Sequence, residues 1–486
     1  MGQEIELKLE LSAQAAAQLE GSSFFRAAAF ADEGRLIRQR TIYFDTPDHA
    51  LARAGFSLRI RCSGTSCVQT IKSSAGMAAG LFSRQEWEWE VDGETPQLGE
   101  DAPLASLPDL PLHQIMPLFT VHNERRRHLW MEGQDEVEIV LDRARVVAGE
   151  REISFCELEL EQKQGQPACL FALAREVSAL VPARLGITTK AGRGYELLAA
   201  SPFAVKAETP QLDPAMTVDE AFRDIAFSCL RHFRRNEDLL LAHHGGEALH
   251  QARVALRRLR SAFSIFRGSI ADERLAELAE GLRWLAGQLA DARDLDVMVG
   301  RLGGDETSEA LLAARDDARM RAREALESTR ARLLMLDLAE WLMLGLHPAG
   351  DGDQPLPDAA AAILDRLRRK VRKKGRHLAE RDDAARHALR KQAKKLRYAT
   401  DFFATLYDGK KETKRLKVFL ASLEALQDDL GLLNDLATAP DVGIRLGLME
   451  AGQMEVLARA QRESKADLIE KAARAYAAFA DAQPFW

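Results

Sequence analysis

Alternation of charged and apolar residues over many short segments constrains this chain more than any other feature. Residues 4–8 read Glu-Ile-Glu-Leu-Lys. In a strand, Glu4, Glu6 and Lys8 share one face, while Ile5, Leu7 and Leu9 share the other. Similar ionic faces recur as Arg59 and Arg61, as Glu86, Glu88 and Glu90, and as Arg125 and Arg127. They recur again as Glu136 and Glu138, then as Glu157, Glu159 and Glu161. One such strand alone reads as half-exposed, with its ionic face in water. Several together, with acids and bases segregated by strand, predict a sheet curled around a charged interior. Such an interior can hold a divalent metal on carboxylates and a polyanion on Arg and Lys.

The chain has 486 residues, enough for two to four domains with sizeable cores. No apolar run approaches the ~18 residues of a membrane span, and the N-terminus lacks an apolar signal core. Five scattered cysteines without C-x₂-C spacing predict reduced thiols and a cytoplasmic setting. Residues 1–200 hold 21 basic and 29 acidic side chains, leaving 46 and 45 for the remainder. Neither part is basic enough to predict a nucleic-acid partner. P-loop, dinucleotide-binding, H-E-x-x-H and G-x-S-x-G patterns are absent from the sequence.

The pattern changes near residue 200. Upstream, short alternating segments and turns such as Asp45-Thr46-Pro47-Asp48 predict mostly strands, with helices at Ala13–Leu19 and Ala168–Leu180. Residues 201–216 are proline-rich and read as a linker. Thr217-Val-Asp-Glu220 is a capping box opening an all-helical region, 217–486, split by Pro348–Pro357. This region repeats itself. His250, Arg253, Arg257 and Arg260 step by three, four and three residues, and so do His387, Arg390, Lys394 and Arg397. Each set forms one stripe on a helix. Arg293-Asp294-Leu295 is echoed by Asn434-Asp435-Leu436, and Phe266 by Phe403. Two bundle-like repeats, about 217–347 and 358–486, with a pseudo-twofold relation are expected. Like charges along a helix repel, so each stripe predicts an anionic ligand, held best by bidentate Arg–phosphate pairs.

These residues resemble two known families. The ExExK opening, Tyr43-Phe44-Asp45-Thr46-Pro47, Leu58-Arg59-Ile60-Arg61, Thr70-Ile71-Lys72, Arg84 with Glu86, Asp142, Glu157-Leu-Glu159-Leu-Glu161 and Lys190…Arg193-Gly194-Tyr195 resemble a CYTH domain, the triphosphate tunnel metalloenzyme fold. Residues 217–486 resemble a CHAD domain, from His250 and Arg253 through Arg293-Asp-Leu-Asp296 to Lys394–Tyr398. The resemblance implies an antiparallel β tunnel barrel (1–200) followed by duplicated helical bundles, an α+β domain joined to an all-α one. It implies a metal-dependent inorganic triphosphatase acting on tripolyphosphate, with a helical domain that binds inorganic polyphosphate.

The implied site follows from charge. Lys8, Arg59, Arg61, Lys72, Arg84, Arg125, Arg127, Lys190 and Arg193 are the expected substrate cations; alternation within Arg125–Arg127 selects the outer two. Glu4, Glu6, Glu157 and Glu159, helped by Asp142, are the expected ligands of Mg²⁺ or Mn²⁺, which takes carboxylates together with substrate phosphates. Glu4, Glu6, Lys8, Glu157 and Glu159 are the catalytic candidates, one glutamate orienting water or binding metal. The alternatives are a thiamine triphosphatase or class IV adenylate cyclase on the same fold, or a non-catalytic, granule-associated polyphosphate binder.

Overall fold

The computed structural model describes residues 2–27, 29–30, 34–73, 77–78, 81–98, 104, 111–199, 202–243, 245–270, 273–302, 309–345, 354–445 and 451–486. Side chains at 2–4, 77–78, 81–84, 243, 301–302, 438–445 and 451–464 lie outside the description. The chain forms two compact units: residues 1–203 with 326–345, and residues 204–325 with 346–486.

The first unit is built on an antiparallel sheet. Its strands are β1 (Gly2–Leu11), β2 (Arg35–Asp45), β3 (Phe56–Ser63), β4 (Ser66–Ser73), β5 (Met77–Ala78), β6 (Leu81–Val91), β7 (Met116–Glu132), β8 (Asp135–Ala148), β9 (Arg151–Gln164) and β10 (Ala183–Leu185). The hydrogen-bonded order is β10-β1-β9-β8-β7-β2-β3-β4-β6-β5, and β1 also pairs with β6. Strand β6 thus pairs with β1 as well as with β4. Gly133 and Gly149 take positive φ in the two-residue turns that join β7 to β8 and β8 to β9, as such hairpins require.

The two faces of the strands separate as the alternation predicts. Outward-facing Ile42, Phe44, Leu58, Ile60 and Ile71 pack with Leu51 of α2 (Ala50–Arg53), and Trp87 and Trp89 lie against them. On β1, Leu7 and Leu9 are buried outward, yet Glu6 and Lys8 are only 4% and 3% exposed on the opposite face. That face is an interior, not a wetted surface. Helices α1 (Ala13–Gly21) and α3 (Ala168–Leu180) pack on β1 and β9, and α4 (Lys190–Leu198) on β7, β8 and β9.

Cys62 and Cys67 form a disulfide, whereas all five cysteines were expected as reduced thiols; Cys156, Cys169 and Cys229 are free and buried. The tight turn at Gly64 sets Cys62 directly opposite Cys67 in the β3–β4 register, with Cα atoms 4.2 Å apart.

The remaining helices are α5 (Val218–His243), α6 (Gly246–Ile265), α7 (Arg274–Gln288), α8 (Ala290–Leu302), α9 (Glu309–Glu327), α10 (Thr329–Leu344), α11 (Leu356–Gly375), α12 (Asp383–Phe403), α13 (Lys410–Arg445) and α14 (Ala451–Asp481). The capping box at α5 forms as read: Thr217 Oγ accepts from Glu220 N–H at 3.3 Å, and Glu220 Oε2 accepts from Thr217 N–H at 2.9 Å. Helix α10, placed by the sequence reading in the first helical repeat, groups with the sheet unit. It packs on α3 and β10, and Arg175 donates to Asp337 at 2.7 Å and to Glu340 at 2.7 and 3.0 Å.

In the helical unit the two basic stripes fall on α6 and α12, which touch. Phe266 and Phe403, equivalent in the repeat, meet with ring centroids 5.8 Å apart. Equivalent residues that meet one another lie where a twofold relation would place its axis. No helix among the described residues is long and apolar enough to cross a membrane.

Candidate active site

The interior of the sheet unit holds a cavity of about 300 Å³. Strand register explains its lining. Lys8 lies opposite Glu159, Asp142 opposite both Arg125 and Glu157, Arg59 opposite Tyr43 and Thr70, and Lys72 opposite Glu86. All these positions share the inward parity of their strands. The lining includes Glu6, Lys8, Arg59, Arg61, Lys72, Arg125, Arg127, Glu159 and Lys190, as expected, together with Tyr43, Glu86, Glu88, Glu138, Glu161 and Lys163.

Asp142, Glu157 and Glu159 are 0%, 1% and 8% exposed, and of the three Glu159 lines the cavity. They can each offer one oxygen within 4.8 Å of the others. Buried carboxylates this close need positive charge. Lys190 reaches Asp142 at 2.6 Å and Glu159 at 3.0 Å, and also pairs with Glu157. Lys8 pairs with Glu159 and lies 3.3 Å from Glu6 and 3.9 Å from Glu157. Arg125 forks onto Asp142 at 2.9 and 2.7 Å and reaches Glu159 at 2.8 Å.

Titration follows this arrangement. Burial opposes charge throughout, yet at Glu159 the Lys190, Lys8 and Arg125 cations outweigh it and hold the carboxyl well below its usual range. At Asp142 burial is outweighed by Lys190 and Arg125, and the carboxyl is again lowered. For Lys8 and Lys190 the surrounding carboxylates overcome burial and raise both ammonium groups. Within the cluster, Asp142, Glu159, Lys8 and Lys190 are therefore charged at neutral pH. The cluster's oxygens also fit a hard divalent cation, which takes carboxylates and keeps waters.

Toward the other side, Lys72 pairs with Glu86 at 3.0 Å and Arg59 lies 3.6 Å from Glu86. Arg61 is 3.3 Å from Glu88, and Arg127 2.5 Å from Glu138. The Arg59 guanidinium, followed by burial, lowers the pKa of Arg61: two cations point into one space.

Two expected members fall outside the described side chains: Glu4 and Arg84, which face each other in the β1–β6 register. Arg193 does not join the cavity lining. It reaches Glu10 at 2.6 Å and lies 4.4 Å from the centre of the Phe155 ring. Helix α4 comes close to β7 because residue 194 is glycine; a Cβ there would stand 2.0 Å from the Phe119 ring. Gly194→Ala is expected to destabilise the sheet unit by about 1–3 kcal/mol, the usual range for overpacking, measurable by denaturant unfolding.

The helical unit carries a second charged feature, a groove between α6, α7 and α12 lined by Arg257, Arg260, Arg267, Arg283, Lys391, Lys394 and Lys395, with Glu273 as the acid. Arg257 donates to the Tyr398 hydroxyl at 2.6 Å. Arg253 and Arg390 lie near enough to depress the Lys394 ammonium, though neither lines the groove. Arg253 faces Asp294 and Arg390 faces Asp435, matching the echo read in the sequence. His250 sits beside Arg293, His387 bonds Asn434, and Arg397 pairs with Glu424 at 3.2 Å; none of the three lines the groove. Arg267, Arg283, Lys391 and Lys395 line the groove and are not among the residues expected from the sequence. Lys391 follows His387 by four residues on the same stripe and could have been read; Arg283, on α7, had no stripe to mark it.

Comparison with known proteins agrees with this division. Residues 2–195 match the CYTH domain family and residues 224–442 the CHAD domain family. The chain belongs to the proteins that carry these two domains in tandem. It is 31% identical over 198 residues to an inorganic triphosphatase of Haemophilus influenzae, a match covering 40% of this chain and 55% of that protein. It is 27% identical over 397 residues to an uncharacterized protein of Mycobacterium tuberculosis, 74% of each chain. The crystal structure of a CHAD domain from Ricinus communis aligns with 28% identity and a TM-score of 0.45, covering 56% of this chain and 96% of that one.

Proposed function

We propose that the sheet unit hydrolyses inorganic tripolyphosphate to pyrophosphate and phosphate with Mg²⁺ or Mn²⁺, and that the helical unit binds inorganic polyphosphate. The observation that carries the first part is a cluster of three buried carboxylates, Asp142, Glu157 and Glu159, on Lys8, Lys190 and Arg125, at a cavity that Glu159 lines together with these three cations and Arg59, Arg61, Lys72 and Arg127. A pure polyanion binder has no use for acids facing its ligand. The name of the Haemophilus relative points the same way.

Phosphoanhydride hydrolysis is mainly a matter of positioning and charge stabilisation. A divalent cation bound by Asp142, Glu157 and Glu159 would supply charge neutralisation and water activation. The chain's own residues do the rest. Arg59, Arg61, Lys72, Arg125 and Arg127 grip the phosphate oxygens and spread the leaving group's charge. Lys8 and Lys190, each with three N–H donors, can add a hydrogen bond to phosphate as substrate enters while keeping carboxylate partners, so no buried charge is stranded. Among the described lining residues, Tyr43 is the aromatic one. It is stacked on Phe119 at 4.8 Å and is unavailable to a nucleobase or a thiamine ring. Turnover of tripolyphosphate, thiamine triphosphate and ATP by the full chain tests this; preference for ATP with a cyclic product would contradict it.

The groove supports the second part: seven cations face one acid, and the described residues place no carboxylate cluster there. Such a groove holds polyphosphate rather than cutting it. Burial and the Arg257 and Arg390 cations bring the Lys394 ammonium down to about 7. A polyanion beside it would restore the higher value, so binding above pH 7 takes up a proton. Affinity should therefore fall as pH rises from 7 to 9, by up to about tenfold per unit from this one group. Calorimetry at pH 8 in buffers of different ionisation enthalpy should register the proton; identical heats would contradict it.

A further inference from the structure

Helix α4 carries Lys190 into the carboxylate cluster, and the other end of the same short helix is held by a network that the chemistry does not use. Tyr195, five residues on, donates its hydroxyl to Asp45 Oδ2 at 2.8 Å. Asp45 is fully buried at the end of β2. Its Oδ2 also accepts from Ala52 N–H at 3.0 Å, and its Oδ1 from Thr46 N–H at 2.7 Å and Leu51 N–H at 2.8 Å. The carboxylate thus ties the Thr46 N–H, two backbone groups of α2 and one hydroxyl on α4 to a single point.

The Tyr195 ring is gripped as firmly. It meets the Phe119 ring edge-on at 5.4 Å and the His49 ring at 5.3 Å. His49 sits at φ 59° and ψ 44°, a left-handed conformation that a residue with a Cβ adopts at a cost. The chain accepts that cost at the residue that packs on Tyr195. Burial, then the bond to Asp45, raises the Tyr195 pKa, so the hydroxyl stays a donor. Arg193, bonded to Glu10, pins the middle of the helix.

Lys190 must contact Asp142, Glu157 and Glu159 together, and a small misplacement of a catalytic group costs large factors in rate. We propose that Asp45 and Tyr195 are positioning residues for the triphosphatase reaction, acting through Lys190. This rests on the function proposed above. Neither Tyr195 nor Asp45 lines the cavity; their effect passes along α4.

The test is a double-mutant cycle in the full chain. Tyr195→Phe keeps the ring and removes only the hydroxyl, so the fold is spared; Asp45→Asn, which also weakens the α2 bonds, serves as the second variant. Tyr195→Phe is expected to lower kcat on tripolyphosphate about tenfold while KM changes little. In a Lys190→Ala background the same change should have no further effect, because the group being positioned is gone. A merely structural role would lower both backgrounds equally, and that result, or a wild-type kcat in Tyr195→Phe, overturns the proposal. Hydrogen exchange of the 190–198 amides gives a readout independent of turnover. Faster exchange confined to α4 in Tyr195→Phe is expected, and unchanged exchange overturns the proposal. If the wild-type chain turns over no tripolyphosphate, the triphosphatase reading fails first, and the exchange data alone decide whether Tyr195 holds α4.

Discussion

Glu159→Gln is expected to lower tripolyphosphate turnover by about a thousandfold. The substitution turns one of the three carboxylates that would hold a divalent cation into a neutral amide and so removes the charge at the junction of the cavity. Glu159 is the common partner of Lys8, Lys190 and Arg125. Losing it leaves Lys8 with Glu6 at 3.3 Å and Lys190 with Asp142 at 2.6 Å, so the cations remain partly paired but point elsewhere. Breaking a buried ion pair on one side costs about 3–5 kcal/mol, because the stranded charge stays buried. The variant should therefore also unfold more easily at pH 7. Acid should narrow that gap. The Glu159 pKa is lowered on folding, so its contribution is present above the ordinary carboxylate range and is lost as pH falls through the lowered value. Denaturant unfolding at pH 7 and at acid pH checks the stability, and phosphate release checks the rate. A variant that retains wild-type turnover would remove Glu159 from the chemistry.

The second large effect belongs to the groove. Replacing Arg257 and Lys394 together by Ala should weaken polyphosphate binding about a hundredfold at low salt. Both line the groove, and they are equivalent positions of the sequence repeat. Each phosphate contact contributes through released counterions, so the slope of log affinity against log salt should shrink by about 1.5, near 0.7 per lost cation. Titration of labelled polyphosphate at several salt concentrations measures both quantities. An unchanged slope would place the polyanion elsewhere, for example on the basic run of α11.

The interior charges were legible in the sequence because a strand's period of two assigns faces without knowledge of the fold. Lys8, Arg59, Lys72, Arg125 and Glu159 all follow that parity. What escaped depends on breaks in it. A register shift between Glu136 and Val137 takes Glu136 out of the cavity lining while Glu138 stays in it. Arg193 sits on a helix, where direction is set by docking rather than alternation, and it turns to Glu10. The Cys62–Cys67 pair was hidden because spacing alone does not reveal register; the two-residue turn between Ser63 and Ser66 does. In the helical unit the stripes fall on α6 and α12, and only some of their residues line the groove. His387 and Arg397 occupy stripe positions yet face Asn434 and Glu424. Arg258, which the repeat pairs with Lys395, is buried over the Phe402 ring at 4.9 Å, while Lys395 lines the groove.

The proposed metal-dependent triphosphatase site in the charged cavity of the sheet unit is tested by phosphate release from tripolyphosphate by the full chain with Mg²⁺, with Mn²⁺ and with EDTA. Turnover that requires the metal and is abolished by EDTA is the predicted result; no phosphate release with either metal from folded protein would contradict it.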